Sequence, residues 1–463
     1  MYEHDTIAAI ATPPGQGGVA IIRVSGPHAE TVARQVFILS RSSQPLLSHH
    51  LYVGKIIDPL TDRPLDQGLL FLMRAPRSYT GEDVAEIHCH GGSLLARRIL
   101  ATVLSQGARL ASPGEFTKRA FLNGRLDLSQ AEGVLDLIQA KSDQGLSLAW
   151  EQLSGRLSAA CTAIREKLLG LTVYVEAFID FPEDDIPERA QAELDHDIET
   201  LSGEIAALCS TFSQGKVYRE GIRTVIIGKP NVGKSSLLNL LTGTERAIVT
   251  AVPGTTRDIL EETIIVGGVP LVVWDTAGLR RTTDEVERLG VERARFGLRE
   301  SELVLAVFDA SRPLDEDDET VLCETVDKKM IPVLNKVDLP LVVNLGDLEI
   351  RLRENPLVHL SARCGMGLGD LEKRIQQVAF GTDSVYGNEQ TGGGIVSRIR
   401  HRDALVKAEQ LLRQAKTGLR QGLPLDLFAV DLRAALDHIG EITGHVTTED
   451  ILDQVFREFC IGK

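Results

Sequence analysis

The stretch Gly228-Lys229-Pro230-Asn231-Val232-Gly233-Lys234-Ser235 restricts the fold of this chain more than any other. It has the form G-x-x-x-x-G-K-S. An apolar run precedes it (Thr224-Val225-Ile226-Ile227), and a helix-like one follows (Ser236-Leu237-Leu238-Asn239-Leu240-Leu241). A buried strand, a glycine loop and a helix start in that order predict a layered α/β domain. The glycines let backbone N–H groups approach an anion, and the helix N-terminus turns its positive dipole end towards it. The pattern predicts a phosphate cradle in which Lys234 reaches the β and γ phosphates and the Ser235 hydroxyl binds Mg²⁺.

Three further signatures follow in order, each after an apolar run. Asp275-Thr276-Ala277-Gly278 follows Leu271-Val272-Val273-Trp274 and has the metal-side form D-x-x-G. Asn335-Lys336-Val337-Asp338 follows Ile331-Pro332-Val333-Leu334 and has the base-reading form N-K-x-D. The Asp338 carboxylate can accept from the N1 and N2 hydrogens of guanine. Adenine lacks that donor pair and would leave the carboxylate unpaired, a discrimination that reaches about 10⁴-fold. Ser361-Ala362-Arg363 fits the loop that backs the base. Together these predict a GTP-binding domain. Its contacts are Asn231, Val232, Gly233, Lys234, Ser235 and Ser236; Thr250, Ala251, Val252, Pro253, Gly254, Thr255 and Thr256; Asp275 to Gly278; Asn335, Lys336 and Asp338; and Ser361, Ala362 and Arg363.

The chain has 463 residues, enough for roughly three domains. Its formal net charge of −15 argues against a freestanding, strongly electrostatic nucleic-acid binder, so RNA contact would need a local patch or a second protein. Six cysteines without paired spacing read as reduced, cytoplasmic thiols. The acidic start Met1-Tyr2-Glu3-His4-Asp5 is unlike a signal peptide, and no apolar run is long enough to span a membrane.

Composition divides the chain into four segments. Residues 1–120 mix β-like runs (19–24, 68–72, 84–88) with Gly/Pro turns, an α+β pattern. Residues 121–218 turn helical. Leu146, Trp150, Leu153, Leu157, Cys161, Ile164 and Leu168 form one stripe; Ile198, Leu201, Ile205, Leu208 and Phe212 form another. Residues 219–379 hold the nucleotide motifs. Helical periodicity returns over 380–463, with Leu405, Ala408, Leu412 and Ala415 on one helix and Leu427, Val430, Leu432 and Leu436 on another. Thr447-x-x-Asp450 resembles a capping box before the last helix. Neither helical flank looks self-sufficient. The simplest architecture joins them into one discontinuous bundle with a Ras-like P-loop domain inserted; two separate helical appendages are the alternative.

Leu279 follows D-x-x-G, where a glutamine often orients the attacking water. Leucine cannot make that hydrogen bond. Glu287 is the candidate for the task, against the plainer reading of a solvated helix face. Thr256 can close on Mg²⁺. The Asn231 side chain can help hold a monovalent cation near the β and γ phosphates, where an arginine finger otherwise sits. Arg257, Arg280 and Arg281 are finger candidates, each also readable as a surface arginine. Cys460, the fourth residue from the end of the sequence, lacks the flanks for prenylation and reads as a packing residue or a reactive thiol. His88 and His90 share a strand face, but no third metal ligand lies nearby. The basic run Arg398, Arg400, Arg402, Lys407, Arg413, Lys416 and Arg420 suits either RNA phosphates or a solvated helix face.

Motifs along nearly the whole chain resemble the tRNA-modification GTPases of the MnmE (TrmE) family. They are A-T-P-P-G-x-G-G-V near the start, Ser78-Tyr79-Thr80-Gly81-Glu82-Asp83 with His90-Gly91-Gly92, Pro113-Gly114-Glu115-Phe116-Thr117, and 120–128. To these add G-K-P-N-V-G-K-S-S, P-G-T-T-R-D, D-T-A-G-L-R and the terminal F-C-I-G-K. The resemblance implies a cytoplasmic homodimer whose N-terminal α+β domain binds a tetrahydrofolate derivative through Arg23, Glu82, Arg125 and Lys463. The family often has Lys where Arg125 stands, which keeps the charge and changes the bond geometry. It implies a helical domain that brings Cys460 towards the folate, and a GTPase domain activated by K⁺. The K⁺ ligands would be Asn231, Thr250, Val252 and Thr255; Ser235 and Thr256 would bind Mg²⁺, and Glu287 would orient water. The implied reaction, with an FAD- and NADH-dependent partner of the MnmG (GidA) family, adds a carboxymethylaminomethyl or aminomethyl group at C5 of wobble uridine 34 in tRNA. A GTPase switch or ribosome-assembly factor, with no covalent chemistry in this chain, is the competing reading from the GTPase motifs alone.

Overall fold

The computed structural model describes residues 5–40, 46–181, 190–244, 261–274, 297–353, 355–381 and 394–463. The chain forms two compact units. The first comprises Met1–Leu135, Leu153–Arg165 and Leu436–Lys463; the second comprises Asp136–Gln152 and Glu166–Ala435.

The first unit is built on a seven-stranded sheet. Its strands are β1 (Ile7–Ile10), β2 (Val19–Ser25), β3 (Phe37–Leu39), β4 (His50–Asp58), β5 (Arg63–Met73), β6 (Val84–His90) and β7 (Arg109–Leu110), in the order β3-β4-β5-β6-β2-β1-β7. All neighbours run antiparallel except β1 and β7. Alternation separates the two faces. Ala20, Ile22, Val24, Ala85, Ile87 and Cys89 pack against α1 (Ala29–Val36) and α2 (Ser93–Ser105). Ile7 and Ala9 pack on the opposite face with Phe116 of α3 (Glu115–Leu122), and Arg23, Glu86 and His88 share the parity of that face. A satellite core joins Leu128, Ala131 and Leu135 of α4 (Leu128–Gln139) to Leu452, Val455, Phe456 and Phe459 near the C-terminus.

Along the chain, α5 (Asp143–Leu153) and α6 (Arg156–Asp180) replace the single stripe expected over 146–168. Gly155, at φ +87°, ends the first helix and re-phases the second. As a result Leu146 and Trp150 are exposed, while Leu148 and Ala149 are buried. The stripe on α7 (Gln191–Ser210) is buried as expected, through Ile198, Leu201, Ile205 and Leu208. Phe212 opens a separate short helix, α8 (Phe212–Glu220).

The second sheet runs β13-β12-β11-β8-β10-β9, from β8 (Ile222–Ile227), β9 (Glu261–Val266), β10 (Val269–Trp274), β11 (Leu303–Asp309), β12 (Met330–Asn335) and β13 (Val358–His359). It is parallel apart from the β9–β10 hairpin. Its helices are α9 (Lys234–Thr244), α10 (Glu316–Glu324), α11 (Leu345–Leu352) and α12 (Leu368–Phe380). Two apolar clusters cover it. Later in the sequence come α13 (Ile399–Arg420), α14 (Leu425–Thr443) and α15 (Glu449–Arg457), the last in the first unit. The apolar face of α14 is set by Phe428, Leu432, Ala435 and Ile439, with Leu427 and Val430 exposed, a correction to the predicted stripe. The last helix is capped by Thr448, whose hydroxyl accepts from Ile451 N, one residue later than the expected Thr447.

Two chain crossings meet near α8. Arg219 and Arg398 both bind Asp136 Oδ1, at 3.1 and 2.6 Å, and Val396 N donates to Thr211 Oγ1 at 2.9 Å.

Candidate functional sites

The glycine loop leaves β8 as the sequence requires. Gly228 sits at φ +150°, and a Cβ there would lie 2.4 Å from Val307 O. Gly233, at φ +102°, would bring one to 2.2 Å from Asn335 Nδ2. Asn231, at φ +64°, is exposed on the loop, and its carbonyl accepts from Lys336 Nζ at 2.7 Å. Lys234 begins α9, and its ammonium donates to Gly228 O at 2.8 Å and Lys229 O at 2.9 Å. Burial holds its pKa below the usual lysine value.

The N-K-x-D segment is tied to this loop. Asn335 Nδ2 donates to Val232 O at 2.8 Å, while its Oδ1 accepts from Ala362 N at 2.9 Å. Lys336 Nζ also meets Asp309 Oδ2 at 2.6 Å. Ser361 Oγ donates to Asp338 Oδ1 at 2.6 Å, which fixes an exposed carboxylate. Ser236 and Arg363 are exposed. Thr250 to Thr256, Asp275 to Gly278 and Glu287 lie outside the described residues, as do Arg257, Leu279, Arg280 and Arg281. Asp309 and Lys229 belong to the site and escaped the motif reading. Each acts through side-chain bonds that no pattern marks, Asp309 to Lys336 and Lys229 to Asp315 and Asp318.

A second polar cluster lies on the α3-side face of the first sheet. Arg23 and Glu86 are cross-strand partners, and Arg23 Nε donates to Glu86 Oε1 at 2.8 Å. The guanidinium carbon lies 5.5 Å from the Tyr79 ring centroid and 5.7 Å from that of Phe116, so two aromatic faces steady the cation. His88 Nε2 stands 3.5 Å from Glu86 Oε2, an ion-pair separation. Burial would raise the Glu86 carboxyl, but His88 and Arg23 outweigh it and hold the pKa below the usual range.

The C-terminal segment closes on this face. Gly114 N donates to Cys460 O at 3.4 Å, and Gly462, at φ +99°, abuts Ile10 O so closely that a Cβ would lie 2.3 Å away. Lys463 is half-buried. Burial and the Arg23 charge lower its pKa, against the opposite pull of Cys460 and Glu86. Cys460 itself is exposed.

Glu82 is committed to an internal network. Its Oε2 accepts from Ser25 Oγ at 2.7 Å, and both oxygens lie 3.3 Å from Arg119 NH1. Arg119 is 1% exposed and also binds Asp5 at 2.6 Å and Glu115 at 3.0 Å. Arg125 is exposed, and its Cγ lies 3.2 Å from where a Cβ on Gly81 would stand, beside Glu82. Of the four residues implied for folate, Arg23 therefore joins Lys463, and Arg125 neighbours Glu82. Glu86, His88, Tyr79 and Phe116 were missed; the alternation of Arg23 with Ser25 along β2, and of Glu86 with His88 along β6, was the available signal.

His90 is bound to Asp66 at 2.9 Å, apart from His88. The basic run of α13 and its N-cap is largely spent within the unit: Arg413 pairs with Glu409, Lys416 with Glu199, Arg420 with Asp195 and the N-cap Arg398 with Asp136. Among the described residues, no helix is long and apolar enough to cross a membrane.

A glycine loop between a central parallel strand and a helix, wired to an N-K-x-D segment, is the architecture of a P-loop domain of the guanine-binding class. The family model described as the MnmE helical domain matches residues 128–460, and that of the GTP-binding protein TrmE N-terminus matches residues 6–125. The chain is 49% identical over 463 residues to the tRNA modification GTPase MnmE of Geobacter sulfurreducens, with 100% of both chains covered. It is 46% identical over 468 residues to that of Geobacillus thermodenitrificans (100% of both), and 44% identical over 460 residues to that of Natranaerobius thermophilus (99% of this chain, 100% of the relative). This chain belongs to the MnmE family of tRNA modification GTPases. Among solved structures, it is similar to the G domain of the T. maritima FeoB iron transporter at 28% identity, covering 34% of this chain and 97% of that one, with a TM-score of 0.26.

Proposed function

We propose that this chain hydrolyses GTP to drive covalent modification of tRNA. Together with an FAD- and NADH-dependent protein of the MnmG (GidA) family, it adds a carboxymethylaminomethyl (or aminomethyl) group at C5 of wobble uridine 34. The observation that carries the reading is the convergence of Arg23, Glu86 and Lys463 on one sheet face, beside the Cys460 segment. A GTPase that only times a binding event has no need of such a cluster.

The donor set suits a reduced folate. A carboxylate such as Glu86 can accept from the paired N–H groups of a pteridine edge, and Arg23 and Lys463 suit its glutamyl carboxylates. When bound, a tetrahydrofolate derivative supplies the one-carbon unit. Arg23, Glu82, Arg125 and Lys463 would hold it, Glu82 alongside its bonds to Ser25 and Arg119, with Cys460 on the segment that carries Lys463. In the nucleotide domain, Ser235 and Thr256 hold Mg²⁺, and Asn231, Thr250, Val252 and Thr255 hold K⁺, with the middle two acting through their carbonyls. Glu287 orients the attacking water. The exposed Asn231 carboxamide on the loop is compatible with a cation ligand.

We further propose a cytoplasmic homodimer with four chain segments, 1–120, 121–218, 219–379 and 380–463. The two helical segments form one bundle that carries the inserted GTPase domain. Acidic net charge, with a basic helix paired to acids of α7, leaves the partner protein to supply most of the RNA-binding field.

The test has two arms. GTP turnover is measured in KCl and NaCl at matched ionic strength, with Asn231→Ala as control, and reduced-folate binding is measured by calorimetry. Potassium stimulation lost in Asn231→Ala, together with folate binding, is the expected result. GTP turnover without folate binding supports the competing switch or ribosome-assembly reading.

A further inference from the structure

Lys229 occupies the first variable position of the glycine loop, yet its side chain turns to α10. Its Nζ lies 2.7 Å from Asp315 Oδ2 and 2.6 Å from Asp318 Oδ2. Lys229 is 8% exposed and Asp318 only 2%. The two aspartates already form the capping box of α10. Asp315 accepts from Asp317 N and Asp318 N, and Asp318 Oδ2 accepts from Asp315 N at 3.1 Å. Burial alone would depress the Lys229 ammonium, but the two aspartates outweigh it and keep it firmly charged.

The same residue is tied to the loop's other lysine. Lys234 Nζ rests on the carbonyls of Gly228 and Lys229. One end of Lys229 is therefore pinned to α10, and its peptide carbonyl holds the ammonium that reads the terminal phosphates. A buried ion pair contributes little net stability over an apolar pair of the same volume. Folding energy thus gives no particular reason for a lysine between two aspartates here, whereas a fixed bond length and direction does.

We propose that Lys229 is a positioning residue for GTP hydrolysis: its two ion-paired hydrogen bonds, to Asp315 and to Asp318, set the height of the Gly228–Lys229 carbonyls, and so the place from which Lys234 meets the γ-phosphate. Displacement of a positioned group by about 1 Å costs on the order of 10²-fold in rate. The effect falls on the γ-phosphate. GDP, which lacks that phosphate, is much less affected.

The experiment compares the full-length protein with K229M, K229R, D318N and D315N, measuring steady-state GTP turnover and GDP binding. We expect K229M and D318N to lose kcat by about tenfold or more while GDP affinity stays within about threefold. K229R restores most of the rate, and D315N, at the exposed partner, falls less than D318N. Equal losses in GDP affinity, GTP KM and kcat would mean a loss of folded protein and would overturn the proposal, as would wild-type turnover in K229M. If K229M does not fold, the charge-balanced K229M/D318N variant carries the test, with the same two outcomes deciding it.

Discussion

Around the nucleotide loop, Asn335, Lys336, Asp338, Ser361 and Ala362 reach one another from two short stretches of chain. On the sheet face of the first unit, Arg23, Tyr79, Glu86, Phe116 and Lys463 come from five. The first site is made of loops at the ends of parallel strands, where contiguous residues naturally crowd one point. The second is made of alternate residues on antiparallel strands and closed by a distant segment. A site of the first kind is governed by its motif. One of the second kind is governed by register and by the core that holds the segments together.

The sharpest test of that contrast is Asp338→Ala. It is expected to lower selectivity for GTP over ATP by about 10³–10⁴-fold, because the loss is confined to two hydrogen bonds at the base. Binding titrations with both nucleotides measure it, and the melting of the first unit should not move. Arg119→Met tests the opposite case. It removes the buried cation that Asp5, Glu82 and Glu115 share, leaving Asp5 and Glu115 only Arg109, and should cost about 3–5 kcal/mol in the first unit, leaving GDP affinity intact. A wild-type melting curve for this variant would break the comparison.

The same network predicts a pH dependence. Asp5 and Glu115 would be raised by burial, but Arg109 and Arg119 outweigh it and hold both below their unfolded values. Groups with depressed folded pKa values contribute stability that is fully present above the unfolded values, about pH 4–4.5, and lost as pH falls through the folded ones. The first unit should therefore weaken below about pH 4.5, and Arg119→Met should flatten that slope. The smallest effect is expected from Glu86→Gln, which keeps the shape and removes the charge beside Arg23. Reduced-folate affinity should fall by about 10–100-fold, with the fold unchanged.

How far the sequence could be read follows the same division. The glycine loop and the N-K-x-D segment were legible because each motif fixes its own backbone, with Gly228 and Gly233 at positions a Cβ would block. Glu86 was not legible, since it becomes Arg23's partner only through the β2–β6 register. Helix phase was the other weak point. Gly155 splits a stripe that looked continuous and leaves Trp150 at 62% exposure. On α14 the leucine at 427 drew attention away from Phe428 and Ala435, which face the core.

The satellite core that joins Leu128 and Leu135 to Val455 and Phe459 also bears on how the protein is made. Roughly 300 residues separate its two halves in the chain, and a ribosome adding about 5–20 residues per second needs about 15–60 s to bridge them. During that interval the face around Leu128, Ala131 and Leu135 waits uncovered, while the parallel sheet, whose strands all lie between Ile222 and His359, has its strands complete. The region translated earliest is thus among the last to be finished, and a nascent chain would spend that time with an apolar surface for chaperones to meet.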